Sequence, residues 1–141
     1  MTPISTQYED YLERILEIIE EKGHVRAVEV AERLGVSKGS VSQMVGRLER
    51  DGFVDRERYR GFTLTKKGTT TAQRIRKRHE VLEEFLGLLG ISDATKEKDI
   101  EGMEHSLSET TVAALEQLGE YLKQTKYRMK RPQNKNSNPS I

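Results

Sequence analysis

Ala27-Val-Glu-Val-Ala-Glu-Arg-Leu34-Gly35-Val36-Ser37-Lys-Gly-Ser-Val41-Ser-Gln-Met44-Val45-Gly-Arg47-Leu48-Glu-Arg-Asp51 decides the fold. The spacing predicts a short helix over Ala27–Leu34 with Val28, Ala31 and Leu34 inward. Gly35-Val36 makes a tight turn. Ser37 then caps a helix running to about Asp51, because its hydroxyl can accept from a free backbone N–H of the first turn. Val41, Met44, Val45 and Leu48 point inward. Two short helices joined by a brief glycine turn form a helix-turn-helix.

The outer side of the second of these helices carries Lys38, Gly39, Ser40, Ser42, Gln43 and Arg47. Small residues let a helix sink into a major groove. Ser and Gln can read base edges, and Lys38 and Arg47 can reach phosphates. With the capping Ser37 they form the candidate nucleic-acid surface; the plainer alternative is a solvated helix face.

The flanks extend the pattern. Before it, a helix over about Thr6–Glu21 shows Tyr8, Tyr11, Leu12, Ile15, Ile18 and Ile19 as its apolar stripe. Asp10, Glu13 and Glu17 lie on the opposite side, facing water or an element packed there later. After it, Phe53–Leu64 reads as a β-hairpin with its tip at Tyr59-Arg60-Gly61. A basic hairpin behind a helix-turn-helix is the wing of a winged helix, and Arg58 and Arg60 are its expected contacts with the DNA backbone or minor groove.

Thr65 can cap a long helix reaching about residue 89, with Ala72, Ile75, His79, Leu82, Leu86 and Leu89 inward. His79 in that apolar seam is either a satisfied core histidine or an inward-facing ligand. The basic run Arg74 to Arg78 touches phosphate or stays wet. Gly90 ends this helix and Ser92 caps the next. There Glu101, Glu104 and His105 stand at i, i+3 and i+4, on one helical face beside the apolar Ile100, Met103 and Leu107. Two carboxylates and an imidazole so placed can hold a divalent cation, although charges at this spacing more often make a solvated face. Ser108 starts a last helix with Thr111, Val112, Leu115, Leu118 and Leu122 on one side. The polar, proline-broken stretch 127–141 reads as disordered.

Composition narrows the function. The 141 residues contain no Cys and no Trp, and 34% are hydrophobic. Disulfides, thiolate metal sites and cysteine nucleophiles are excluded, so any metal must be held by oxygen and imidazole. No stretch approaches the roughly 20 apolar residues of a membrane span, and no apolar signal region opens the chain, so a cytoplasmic protein is expected. The net charge of +1 hides segregation: residues 33–67 carry 9 Lys/Arg against 4 Asp/Glu, and residues 79–120 carry 2 against 11. A basic middle beside an acidic later third suggests that one part binds a polyanion and the other binds cations.

Taken together, these motifs resemble the diphtheria toxin repressor family of metal-dependent repressors, on its manganese transport regulator branch. The resemblance runs from Thr6 to about Lys126. It rests on Asp10-Tyr-Leu-Glu13, the winged helix with Tyr59-Arg60-Gly61, Arg78-His79-Glu80, and Glu101-Gly-Met-Glu104-His105-Ser-Leu-Ser108. It implies a mainly α protein: a winged helix-turn-helix DNA-binding domain over 1–71, then an all-α metal-binding and dimerisation domain over 72–126. It implies six metal ligands: Asp10, Glu13, His79, Glu101, Glu104 and His105. The iron-responsive branch has methionine at the position of Asp10 and cysteine at that of Glu101, and its longer members add a third, SH3-like domain. This chain has none of these, and four carboxylates with two imidazoles suit Mn²⁺. Because carboxylates can bridge, two ions per subunit are expected.

The expected function follows from the resemblance. Mn²⁺ is the corepressor of a homodimer that binds double-stranded operator DNA at metal-uptake genes. Leu115, Leu118 and Leu122 are candidate dimer contacts; no membrane and no small organic substrate are involved. The alternatives are an iron- or zinc-responsive repressor of the same fold, a winged-helix regulator that ignores metals, and a two-metal hydrolase. The hydrolase lacks a nucleophile and has no use for a winged helix.

Overall fold

The computed structural model describes residues 5–57 and 59–125. The chain divides into two compact units, Met1–Arg76 and Lys77–Ile141. In order, the elements are α1 (Thr6–Lys22), α2 (Ala27–Leu34), α3 (Lys38–Arg50), β1 (Val54–Glu57), β2 (Gly61–Leu64), α4 (Lys66–Leu88), α5 (Asp93–Met103) and α6 (Glu109–Gln124). A mainly helical chain with one β-hairpin was the expected fold class. Arg58 and the stretch 127–141 lie outside the described residues.

In the first unit each helix begins where a side chain can occupy a free backbone donor. Ser5 accepts from Tyr8 N–H, Ser37 from Ser40 N–H, and Glu29 reaches back to Arg26 N–H at the start of α2. Gly23 and Gly35 close α1 and α2 in the left-handed conformation, which glycine adopts without strain. Tyr11, Leu12, Ile15 and Ile18 of α1 join Val41, Met44, Val45 and Leu48 of α3 in one core with Phe53, Val54, Phe62, Ala72 and Ile75.

Two expected faces are corrected. On α2, Val30 and Ala31 are buried while Val28 is 45% exposed. Ala27, Val30, Ala31 and Leu34 keep the i, i+3, i+4, i+7 spacing, and Val28 falls outside it. On α1, Leu16 joins the buried stripe, and Glu13 is buried too, which is the packed rather than the solvated of its two alternatives.

The hairpin is antiparallel, with Val54 opposite Leu64 and Glu57 opposite Gly61. Val25 adds a third edge that the sequence reading missed: its N–H donates to Phe62 O at 3.0 Å, and Phe62 N–H returns a bond to Val25 O at 2.8 Å. Gly61 permits this approach. Its φ is +85°, and a Cβ there would stand 2.1 Å from Val25 O. Thr65 ties the hairpin to α4, donating to Gly52 O at 2.6 Å and accepting from Gly68 N–H at 3.0 Å.

The second unit holds the later part of α4 with α5 and α6. Ser92 and Ser108 cap α5 and α6 through Thr95 N–H and Thr111 N–H. Val81, Leu82, Ile100 and Val112 are buried. Gly119 of α6 is buried against α4, where a Cβ would lie at an ordinary contact distance of 3.8 Å from Leu88 Cδ1. Lys77 of α4 pairs with Glu116 of α6 at 2.7 Å, and Lys123 of α6 pairs with Glu84. Leu115 and Leu122 are half-buried, whereas Leu118 is 45% and Tyr121 62% exposed.

Candidate metal centre and nucleic-acid interface

Within the second unit, three of the six expected ligands come together. The Glu104 carboxylate is 3% exposed. Its Oε2 lies 2.9 Å from His79 Nδ1 and its Oε1 lies 3.4 Å from His105 Nε2. A carboxylate withdrawn from water thus has an imidazole nitrogen at each oxygen. Burial of such a group is costly unless strong partners surround it.

The local backbone explains the convergence and corrects the single-helix-face reading. Helix α5 ends at Met103. Glu104 is its C-cap, still bonded through its N–H to Ile100 O at 2.9 Å, and His105 sits in the turn beyond. Leaving the helix lets His105 aim at its own neighbour's carboxylate. Glu101, one turn earlier on α5, is exposed. His79, half-buried on α4, faces the Glu104 carboxylate rather than filling the apolar core. Arg78, which the sequence reading left between phosphate and water, donates from Nη1 to Glu104 O at 2.6 Å. An arginine placed one residue before an expected ligand was the only signal for it.

Asp10 and Glu13 belong to the first unit. Asp10 is half-buried and Glu13 buried on α1. Both acidic groups stand near Arg14, whose guanidinium is held more firmly protonated by its bond to Glu17, with Glu13 and Asp10 adding to the effect against the cost of burial.

The donor chemistry of His79, Glu104 and His105 fits a divalent cation of the borderline-hard kind. Carboxylate oxygen and neutral imidazole are the ligands such ions take, and no thiol competes.

The first unit presents the candidate DNA surface. Ser37, Lys38, Ser40, Ser42, Gln43 and Arg47 are all exposed on or at the start of α3. Ser37 Oγ donates to Ser40 Oγ at 2.9 Å, so these two hydroxyls form one polar group at the helix start. Arg60 is exposed in the hairpin turn beside Tyr59, which is 92% exposed with φ +70°.

Arg26 and Arg56, which were not among the expected contacts, are also exposed on this unit. With Ala27, Ser42, Val45, Gly61 and Phe62 they line a cleft of about 270 Å³ between α3, the start of α2 and the hairpin. Glu49 of α3 holds Arg56, Nε to Oε1 at 3.6 Å. Val54 is buried and Asp55, Arg56 and Glu57 are all exposed, so strand alternation gave no signal for Arg56.

Comparison with known proteins agrees with both halves. Residues 3–62 match the family described as Iron dependent repressor, N-terminal DNA binding domain, and residues 65–133 match its metal binding and dimerisation domain. The HTH-type transcriptional regulator MntR of Oceanobacillus iheyensis is 43% identical over 122 residues, covering 86% of this chain and 83% of that protein. Among solved structures, the metal-dependent transcriptional regulator MtsR superposes with a TM-score of 0.75 at 30% identity, and the manganese regulator SloR with 0.71 at 32%. Each superposition covers 86% of this chain but 55% of the other, so the chain spans about half the length of those two regulators.

Proposed function

The chain belongs to the iron dependent repressor family, the diphtheria toxin repressor family of metal-dependent regulators, on the side of its MntR members; from that premise we propose that it is a Mn²⁺-dependent, DNA-binding transcriptional repressor of metal-uptake genes. The observation that carries the metal half is the Glu104 carboxylate, buried with His79 and His105 at its two oxygens. The choice of manganese rests on the hard donor set and on the likeness to the manganese regulator SloR.

In this reading Asp10, Glu13, His79, Glu101, Glu104 and His105 would supply the ligands, enough for two ions per subunit. A bound divalent cation supplies the positive charge that offsets repulsion among the four carboxylates. The chain does the rest. Asp10 and Glu13 are rooted in α1, whose Leu12, Ile15 and Ile18 share one core with Val41 and Leu48 of the recognition helix α3. Any restraint on α1 therefore reaches α3 through close packing rather than through a flexible link. The half-buried Leu115 and Leu122 and the exposed Leu118 on α6 would join two copies as a homodimer, and two α3 helices at fixed separation would match two half-sites of operator DNA. Ser37, Ser40, Ser42 and Gln43 would read bases, and Lys38, Arg47 and Arg60 would reach phosphates, with Arg58 as a further candidate from the sequence. The protein acts in the cytoplasm, where the DNA lies, and is a regulator rather than an enzyme. Among the described residues no helix is long and apolar enough to cross a membrane.

The test is a Mn²⁺ titration followed by loss of the free-ion EPR signal, with operator binding read by fluorescence anisotropy on the same samples. Saturation near two ions per subunit, DNA affinity that appears only with Mn²⁺, and loss of both in Glu104→Gln are expected. DNA binding indifferent to metal would refute the reading. Tighter coupling of DNA binding to Fe²⁺ or Zn²⁺ would keep the fold and change the signal.

A further inference from the structure

Helices α4 and α5 carry matching series. On α4, His79, Glu83 and Gly87 are four apart; at α5, Lys96, Ile100 and its C-cap Glu104 are four apart. Each series keeps to one side of its helix. The two meet at both ends. At one end Glu104 contacts His79 and receives the Arg78 bond. At the other, Lys96 Nζ reaches Glu83 Oε1 at 2.9 Å and Asp93 Oδ1 at 3.1 Å. Ile100 is buried between these ends.

Lys96 is unusual for a helical lysine. Its side chain is only 11% exposed. It lies across α4 at Gly87: a Cβ there would stand 3.7 Å from Nζ, an ordinary contact distance. Lysines at helix surfaces ordinarily keep the ammonium in open water. Here the head group is turned onto the neighbouring helix instead. Two carboxylates face this cation, Glu83 from α4 and Asp93 from the first turn of α5.

We propose that Lys96 is a positioning residue of the metal centre: its ammonium pins α5 across α4 through Glu83, so that Glu104 and His105 are held against His79 before any cation binds. The proposal rests on the metal reading above. Lys96 acts on these ligands through the placement of α5. Ligands held in place in advance lose less freedom on binding, which raises affinity without adding a contact.

The experiment uses the full chain and two variants. Lys96→Met keeps the aliphatic stem and removes the charge; the exchange Lys96→Glu with Glu83→Lys reverses the pair. Two readouts are taken. In metal-free protein, imidazole NMR signals are followed; the chain has 3 His, so His24, exposed in the first unit, serves as the internal reference. In titrations, Mn²⁺ affinity is measured by EPR. With helicity unchanged, Lys96→Met is expected to shift and broaden His79 and His105 but not His24. Its Mn²⁺ dissociation constant should rise about tenfold, as for residues that orient ligands from outside the first layer. The exchange should restore both. Wild-type imidazole signals and affinity in Lys96→Met would overturn the proposal, as would an exchange that recovers thermal stability but not affinity. If the unsubstituted protein binds no Mn²⁺, the metal reading falls and the role given to Lys96 falls with it.

Discussion

Replacing Arg78 by Met should weaken metal binding through one lost hydrogen bond. Arg78 Nη1 donates to the main-chain carbonyl of Glu104 at 2.6 Å. That carbonyl lies at the C-terminal end of α5, where helices leave acceptors without an intrahelical donor. A bond from a charged donor contributes about 1.5–3 kcal/mol, and the half-buried setting of Arg78 places it near the lower figure. At about 1.4 kcal/mol per factor of ten, the Mn²⁺ dissociation constant should rise roughly tenfold if the bond holds Glu104 in its binding position. Methionine keeps most of the arm's length and apolar packing, so the loss is confined to the donor. The assay is Mn²⁺ titration by EPR alongside thermal unfolding without metal. An affinity within about twofold of wild type, together with a lower melting temperature, would show that the bond closes the helix end and does not prepare the ligand.

Three further outcomes are expected. Gly61→Ala should destabilise the first unit by more than about 2 kcal/mol in urea unfolding, since the backbone at φ +85° is strained for alanine and the methyl would meet Val25 O. Glu29 is held below the ordinary carboxyl value of 4.5, first by its bond from Lys22 and then by Arg26 N–H. Its stabilisation is therefore complete above that value and is lost as pH falls through the lowered one; the melting-temperature gap between wild type and Glu29→Gln should hold steady at neutral pH and close only below about 4.5. Gln43→Ala should cost about 1–3 kcal/mol on the operator but little on random DNA, whereas Arg60→Ala should weaken both and reduce the salt dependence by about one phosphate contact, both measured by anisotropy across salt concentrations.

Much of the fold was legible because local rules and global packing agree here. Ser37, Ser92 and Ser108 are capping residues by chemistry, and each accepts the expected backbone donor. Val41, Met44, Val45 and Leu48 follow a 3.6-residue period and are all buried. Where the period was ambiguous the reading slipped. In the eight-residue α2, five residues are apolar; Val28 and Val30 are equally hydrophobic, and what separates them is the i, i+3, i+4, i+7 set of Ala27, Val30, Ala31 and Leu34 that burial follows. Val25 could not be seen as a strand edge at all, because one residue has no periodicity.

The sequence by itself determined which chemistry is possible: a cysteine-free chain, carboxylates and imidazoles as the only strong metal donors, a basic recognition helix, and an acidic later third. Residue types and their spacing along one helix settle such matters, because they need no knowledge of what packs where. Tertiary structure alone decided which groups act together. It put His79 of α4 against Glu104 beyond the end of α5, brought Arg78 onto the Glu104 carbonyl, and turned Lys96 inward over Gly87. These pairings join residues from different helices, and their distances follow from how side-chain volumes fit together across a buried interface, a quantity that no single stretch of sequence contains.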